Sequence, residues 1–335
     1  MALLLFDGFD HYDGEHLDKK WEIVVQTAGP QSGGRNGGKR LYLLGDGSVT
    51  TKDLGNKGLL IAGFFFDYAD GSILDLPFLQ FLDGETAQLS FKMSPGIDKK
   101  IHVYRGAELL GETEVIADAG AGCYLEAYVT FSDALGIINI RKDGAQIFYY
   151  AGSTIVTANY YANRINLHGM ENAVYFDDLY ACDNLGTSEN DFLGDCQVRC
   201  LLPDENGDTN AWIPSAGDNF ECVNEDAGSR PDDDTTSVKS TATGQIDLYK
   251  FPALAETQGK VLGVQLLPYI KKIDTETRTF KTVTKTHSAN YEGAAQELDE
   301  DYKYFPEIQT VNPATELPWT LEEINAAQFG IKAES

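Results

Sequence analysis

The sequence predicts an all-β chain: two β-sandwich (jelly-roll-like) domains in tandem, with one short C-terminal helix. Three observations lead there. Short runs of alternating apolar and polar residues recur along the chain, separated by Gly, Asn, Asp and Ser. The 33 glycines and 17 tyrosines favour strands and tight turns. Long Leu/Ala/Glu/Lys tracts of the helical kind are scarce, while a hydrophobic content of 42% and an aromatic content of 11% support real cores. At 335 residues the chain holds one large or two ordinary domains.

In chain order, Leu3–Phe9 and Leu41–Leu44 read as short apolar strands. The segment Thr27–Arg40, with five glycines, reads as a long loop between them. Gly58–Tyr68 is a strongly apolar strand, and Gln88–Met93, Lys100–Tyr104 and Leu110–Val115 alternate. Tyr124–Ser132, a turn at Gly136, and Ile137–Arg141 follow. The Asp143-Gly144 pair then makes a hairpin to Ala145–Tyr150. Ile165–Leu167 and Val174–Leu179 complete a first domain over residues 1–185.

Residues 186–195, rich in Gly, Asn, Asp and Ser, read as a linker, and residues 196–335 as the second domain. There Gln197–Leu202 reads as a strand, Asp204–Asp208 as a turn, and Trp212–Asn219 and Glu225–Thr236 as loops. Ile246–Phe251, Lys260–Ile270, Thr277–Lys285 and Tyr302–Ile308 read as strands. Thr320 and Glu323 form a T-x-x-E capping box that opens a short helix from Leu321, and Phe329–Lys332 reads as the last strand.

The charge balance is acidic, with 52 Asp and Glu against 26 Lys and Arg and a net charge of −26. Such a surface repels nucleic acid and anionic membranes, so neither is expected as a partner. Its first use is solubility; calcium sites or a cationic partner surface are the sharper alternatives. Met1–Asp7 lacks a basic leader and a cleavage site, and no stretch reaches transmembrane length, so cytoplasmic synthesis without a signal peptide is expected.

Several groups carry potential chemistry. Asp177 and Asp178 are adjacent in a strand and are expected on opposite faces. Together with Asp7, Asp10 and Asp183 they could supply oxygens to Ca2+, which takes about six to eight; the competing use is to bond loop amides. Asp204–Asn210 resembles part of a calcium loop but lacks its later Glu, and reads better as a turn. Pro231–Thr236 reads as a solvated loop.

The five cysteines are Cys123, Cys182, Cys196, Cys200 and Cys222, an odd count that argues against a closed disulfide framework. Buried thiols are one reading. Bridging of Cys182, Cys196, Cys200 and Cys222, within the chain or between subunits, is the other. Zinc lacks a CxxC motif and a nearby His.

A glycosidase of this class needs a carboxylate pair facing a cleft; Glu112 and Glu114 come nearest and read as an exposed strand face. His11, His16, His102, His168 and His287 lie in no triad-like motif, and phosphate and dinucleotide fingerprints are missing. No cofactor is required by these patterns. Tyr149-Tyr150 and Tyr160-Tyr161 could stack on sugar or pack at an interface.

The run Tyr124–Tyr150, with Leu3–Phe9 and Val174–Tyr180 as neighbouring end strands, resembles the concanavalin A/laminin-G type of jelly roll. A longer pattern combines Phe6–Asp10, Tyr175–Tyr180, Asp191–Val198, Leu202–Asp208, Trp212–Ser215 and Pro318–Thr320 with Phe329-Gly330. This order is similar to a family of tailed-bacteriophage virion (tail-type) structural proteins. The resemblance implies a non-enzymatic subunit of a phage particle, in the tail, neck or collar, fibre or capsid decoration. Its partners would be other virion proteins and copies of itself, and its location the virion. The alternative is a carbohydrate-binding adhesin that recognises a host surface glycan.

Overall fold

A computed structural model of the chain describes residues 2–25, 28–69, 76–94, 99–116, 119–225 and 231–335. Thr27 and part of the expected loop Glu225–Thr236 lie outside the described residues. The chain is all-β, and it divides into two compact units, Met1–Arg199 and Cys200–Ser335.

The first unit contains β1 (Leu3–Asp7), β2 (Ile23–Val25), β3 (Ala28–Ser32), β4 (Lys39–Leu43) and β5 (Ser48–Thr50). It continues with β6 (Leu59–Tyr68), β7 (Pro77–Asp83), β8 (Thr86–Met93), β9 (Lys100–Arg105) and β10 (Glu108–Val115). The last five are β11 (Cys123–Thr130), β12 (Gly136–Lys142), β13 (Ala145–Gly152), β14 (Arg164–His168) and β15 (Val174–Cys182). One sheet runs β13-β12-β11-β6-β15-β4-β3, with β1 also on β15; the other runs β10-β9-β8-β7-β14-β5-β2.

The two sheets pack through aromatic side chains. Phe66 of β6 meets Phe78 of β7 across the sheets at 4.6 Å between ring centroids, and Phe64 meets Phe176 of the neighbouring strand β15 in its own sheet at 5.3 Å. All four are buried, and each such side chain contributes about 1.5–3 kcal/mol on leaving water. The expected pairing of the two end strands is present: Phe6 lies opposite Tyr180, and Asp7 opposite Leu179. The Asp143-Gly144 hairpin also forms, with φ of 47° and 81°, the paired left-handed values of a type I′ turn.

Three sequence expectations change in this unit. The glycine-rich stretch before Arg40 is a hairpin, not a long loop: β3 pairs with β4 from Ala28↔Leu43 to Ser32↔Lys39. Left-handed Gly33, Asn36 and Gly37 turn the chain between them. The expected strand Gln197–Leu202 has no ladder partner. The expected linker 186–195 is not a linker, because it belongs to the first unit and is bonded to its sheet, as described below. A four-residue helix, Leu17–Lys20, was not anticipated.

The second unit is built on a six-stranded sheet. Its order is Glu205–Asn210, Ile246–Lys250, Gln328–Ala333, Thr279–Thr286 and Ala289–Glu292, with Gln296–Glu297 also on Thr279–Thr286. The stretch expected as an Asp204–Asp208 turn is therefore mostly strand, because Asn206 pairs with Tyr249. Two long strands expected here are interrupted by prolines, which cannot donate to a ladder. Pro268 and Pro306 leave two short ribbons, Val264–Leu266 on Glu307–Gln309 and Tyr269–Ile270 on Lys303–Tyr304. Trp212, Ile270, Phe280 and Leu298 form a core cluster beneath the sheet. The capping box is present: Thr320 Oγ1 accepts from the Glu323 amide at 3.1 Å, and Glu323 accepts from the Thr320 amide at 3.0 Å. It opens the helix Leu321–Ala326.

Candidate functional site

The strand registers of the eight-stranded sheet define two different faces. Leu125, Ala127 and Val129 of β11, with Leu60, Ala62, Phe64 and Phe66 of β6, point to the core and are buried. The alternate residues Tyr124, Glu126, Tyr128 and Thr130, opposite Phe65, Gly63, Ile61 and Leu59, point outward. On the same outer face β12 places Arg141 opposite Glu126 and Asn139 opposite Tyr128, and β13 places Tyr149 opposite Asn139. Tyr180 of β15 stands opposite Gly63, so close that a Cβ at residue 63 would lie 2.1 Å from its ring.

Much of this outer face is covered. The chain leaves β15 and returns across it as an irregular segment through Arg199. The Leu193 amide donates to the Tyr180 hydroxyl at 3.1 Å, and the Gly194 amide donates to Glu126 at 2.8 Å. The Tyr180 hydroxyl also donates to Glu126, which is 1% exposed. Phe192 lies 5.7 Å from Tyr128 between ring centroids, with the Arg141 guanidinium 3.9 Å from its own centroid. Burial, then the Glu126 charge, holds the Tyr180 phenol far above its ordinary value, so it is a neutral donor.

Of the five aspartates proposed for calcium, Asp7, Asp10, Asp177 and Asp178 gather at the other edge of this face, and the oxygens of all five serve backbone, hydroxyl and cationic groups. Asp7 accepts from the Phe9 amide at 2.8 Å and the Tyr12 hydroxyl at 2.6 Å, and pairs with Lys20 at 2.8 Å. Asp10 accepts from the Lys39 amide at 2.5 Å. Asp177 accepts from the amides of Arg35 and Asp178 at 2.7 and 2.8 Å. Asp178 accepts from the Val198 amide at 2.7 Å, and its other oxygen lies 3.1 Å from Arg35, which also pairs with Asp195 at 2.7 Å. Asp183 pairs with Lys57 at 2.8 Å.

Among the described residues no group of three or more His, Cys, Asp or Glu is arranged to hold a metal ion. The expectation of opposite faces for Asp177 and Asp178 is corrected. Asp178 has φ of 48° at a bulge between Asp177 and Tyr180, which turns both carboxylates toward Arg35.

Burial, then the neighbouring Asp178 charge, pushes the Asp177 carboxyl from 3.8 up to about 7. The folded state therefore binds this proton more tightly than the unfolded state. The Asp177 contribution to stability is full below about pH 4, falls as pH rises toward 7, and stays lost above. Asp177→Asn is expected to flatten the fall in urea midpoint between pH 4 and 7. An unchanged slope across that window would count against this assignment.

The outer face continues away from the aspartates into a depression of about 230 Å3. It is lined by Asn56, Lys57, Gly58, Leu59, Thr130, Asp183, Asn184 and Leu185. Thr130 is two residues from Tyr128 on the same face, so the depression and the Tyr128–Asn139–Tyr149 row form one strip. Tyr149 is 55% exposed, and Asn139 Oδ1 is buried without a hydrogen-bond partner. Tyr160, also exposed, runs beside Gly58 and donates to Asp133 at 3.2 Å.

Of these residues, sequence reasoning singled out Tyr149, Tyr160 and Asp183. It missed Glu126, Tyr128, Asn139 and Arg141. Their signal was present as the polar members of two alternating strands whose apolar members already fill the core.

The remaining predicted groups are dispersed. All five cysteines are thiols in this structure. Cys182 and Cys222 are buried and donate to the carbonyls of Asp191 and Ala216. Burial pushes the Cys196 thiol up to about 12, and Cys196 and Cys200 are half-buried. Glu112 and Glu114 are exposed, as expected, and Glu112 pairs with Lys100 and His102. In Pro231–Thr236, Asp234 pairs with Lys271 at 2.8 Å. No helix among the described residues is long and apolar enough to cross a membrane.

No family model matches the chain, and no curated protein matches it. Solved structures do. The alginate lyase Aly36B is 10% identical, over 53% of this chain and 96% of that one, with a TM-score of 0.39. The endo-β-1,4-glucuronan lyase from the fungus Trichoderma reesei is 14% identical, over 54% and 95%, with a TM-score of 0.40. The carbohydrate-binding module CBM66 from Bacillus subtilis is 12% identical, over 48% and 94%, with a TM-score of 0.34. At these identities the likeness is one of β-sandwich fold. Against the expectation of a non-enzymatic subunit, the similar structures include an alginate lyase and a glucuronan lyase.

Proposed function

We propose that the first unit recognises a neutral oligosaccharide along the outer face of its eight-stranded sheet, the adhesin alternative raised by the sequence. The observation that carries this reading is the strip itself. An exposed Tyr149 ring stands beside an unpartnered Asn139 oxygen and leads to a depression lined by amide, hydroxyl and charged side chains. Sugars need this combination, an apolar ring for their C–H face and convergent polar groups for their hydroxyls. A net charge of −26 disfavours polyanionic glycans, which is why the proposal names a neutral one. The motif resemblance adds a setting, also a proposal: a subunit of a tailed-phage particle, assembled with copies of itself and other virion proteins, facing a bacterial surface glycan.

A printed array of neutral and acidic oligosaccharides, read with and without a calcium chelator, tests the reading. Binding confined to neutral glycans is expected. Tyr149→Ala should weaken it about 10-fold, the loss of one stacking contact of about 1.4 kcal/mol, while Glu112→Ala on the opposite sheet should leave it unchanged. No binding on any feature would refute the proposal. Immunogold electron microscopy of particles tests the virion setting separately.

A further inference from the structure

We infer that residues 186–199 are a strap that occupies an extension of this glycan site in cis, and that the strap lifts when a longer oligosaccharide binds. The identity of the ligand rests on the reading above; the lifting of the strap does not.

The strap sits where a ligand would. Phe192 lies on the Tyr128 ring with the Arg141 guanidinium over it, an aromatic and cationic clamp around a six-membered ring. The next two residues present main-chain amides to the Tyr180 hydroxyl and the Glu126 carboxylate. These are the acceptors that sugar hydroxyls would use.

What lies beneath the strap also differs from a core. The opposite side of the same strands is uniformly apolar, as at Leu125, Ala127 and Val129. Under the strap stand Tyr124, Glu126 and Tyr180 together with Ile61 and Phe65. Lifting the strap returns Tyr124, Glu126 and Tyr180 to water, where they are hydrated. This offsets part of the cost of exposing Ile61 and Phe65, so opening costs less than exposing a core. The strap itself has no helix or ladder, so its opening is a local event that leaves the sheet intact. It also continues directly into Cys200, the first residue of the second unit, so tension on that junction acts first on its Val198–Asp178 and Cys196–Arg35 bonds.

Two measurements on the full chain test this. In native-state hydrogen exchange, the Gly194 and Val198 amides should exchange at least about 100-fold faster than those of Ala127 and Val129, in line with local rather than global opening. Equal rates would overturn the inference. Gly194 has φ of 83°, which proline cannot adopt, so Gly194→Pro removes both the turn and the amide that reaches Glu126 while leaving every face residue in place.

With cello-, manno- and xylohexaose as probes, Gly194→Pro should bind about 10-fold more tightly than the parent chain, as for an open state populated at ~10%. The gain should vanish in Gly194→Pro/Glu126→Gln. A folded Gly194→Pro chain that binds no better than the parent would show that the strap occludes nothing. Should neither protein bind a sugar, the glycan reading fails and the exchange rates alone decide the strap.

Discussion

Asp7→Ala is expected to destabilise the first unit by about 3–5 kcal/mol, the cost of leaving a buried charge without its partner. The Lys20 ammonium lies 2.8 Å from Asp7, and its side chain is 3% exposed. The same carboxylate accepts from the Phe9 amide and from Tyr12, whose hydroxyl in turn accepts from the Trp21 indole at 3.0 Å. Burial, the largest single influence, would raise the Asp7 pKa, but the attraction of Lys20 and His11 together with the hydrogen bonds from Lys20 and Tyr12 outweighs it and holds the group below its ordinary value of 3.8. This stabilisation is therefore present above pH ~4 and is lost as pH falls through the lowered value.

Urea unfolding followed by Trp21 fluorescence reads the effect. The double change Asp7→Leu/Lys20→Met removes both charges and should recover most of the loss. A cost under about 1 kcal/mol for Asp7→Ala would mean that the pair is solvated.

The second large effect belongs to the other unit. A Cβ at Gly330 would fall 1.8 Å from the Asp247 carbonyl oxygen and 2.9 Å from Leu248 Cα, which are backbone atoms of the neighbouring strand. Gly330 also pairs with Val283 on its other side, so its strand cannot move away from either neighbour. Gly330→Ala should cost about 3 kcal/mol or more, the upper end for overpacking, because no side chain can rotate aside. Calorimetry of the full chain should show the transition of Cys200–Ser335 lowered and that of Met1–Arg199 unchanged. A single unshifted profile would show that the strands there separate more readily than their ladder indicates.

The fold of the first unit was legible because its strands alternate. Gln88–Met93 and Lys100–Tyr104 show period two, and the Asp143-Gly144 hairpin shows a turn pair that only one geometry satisfies. Less was legible where partners come from far along the chain. The 186–195 segment carries linker composition, and only the Glu126, Tyr180 and Asp178 acceptors across the sheet show why it stays down. Pro268 and Pro306 were readable as ladder breaks, yet the apolar runs around them outweighed that signal. The glycan strip shows the same limit. Tyr149 and Asn139 belong to different strands and meet only through the register. For the aspartates the sequence left two uses open, calcium or loop amides, and Asp7, Asp10, Asp177 and Asp178 each accept from a backbone amide.

The bulge at Asp178 has one more consequence. β15 pairs with β6 on both sides of it, from Val174↔Tyr68 to Asp177↔Phe65 and again from Tyr180↔Gly63 to Cys182↔Ile61. A strand interrupted in this way works as an index pin. Sliding by two residues would keep the apolar side facing the core, and an unbroken ladder would tolerate it; here it would drive the Tyr180 ring off the one position where residue 63 has no side chain. The strand that launches the covering segment therefore has a single setting, and everything downstream starts from the same notch.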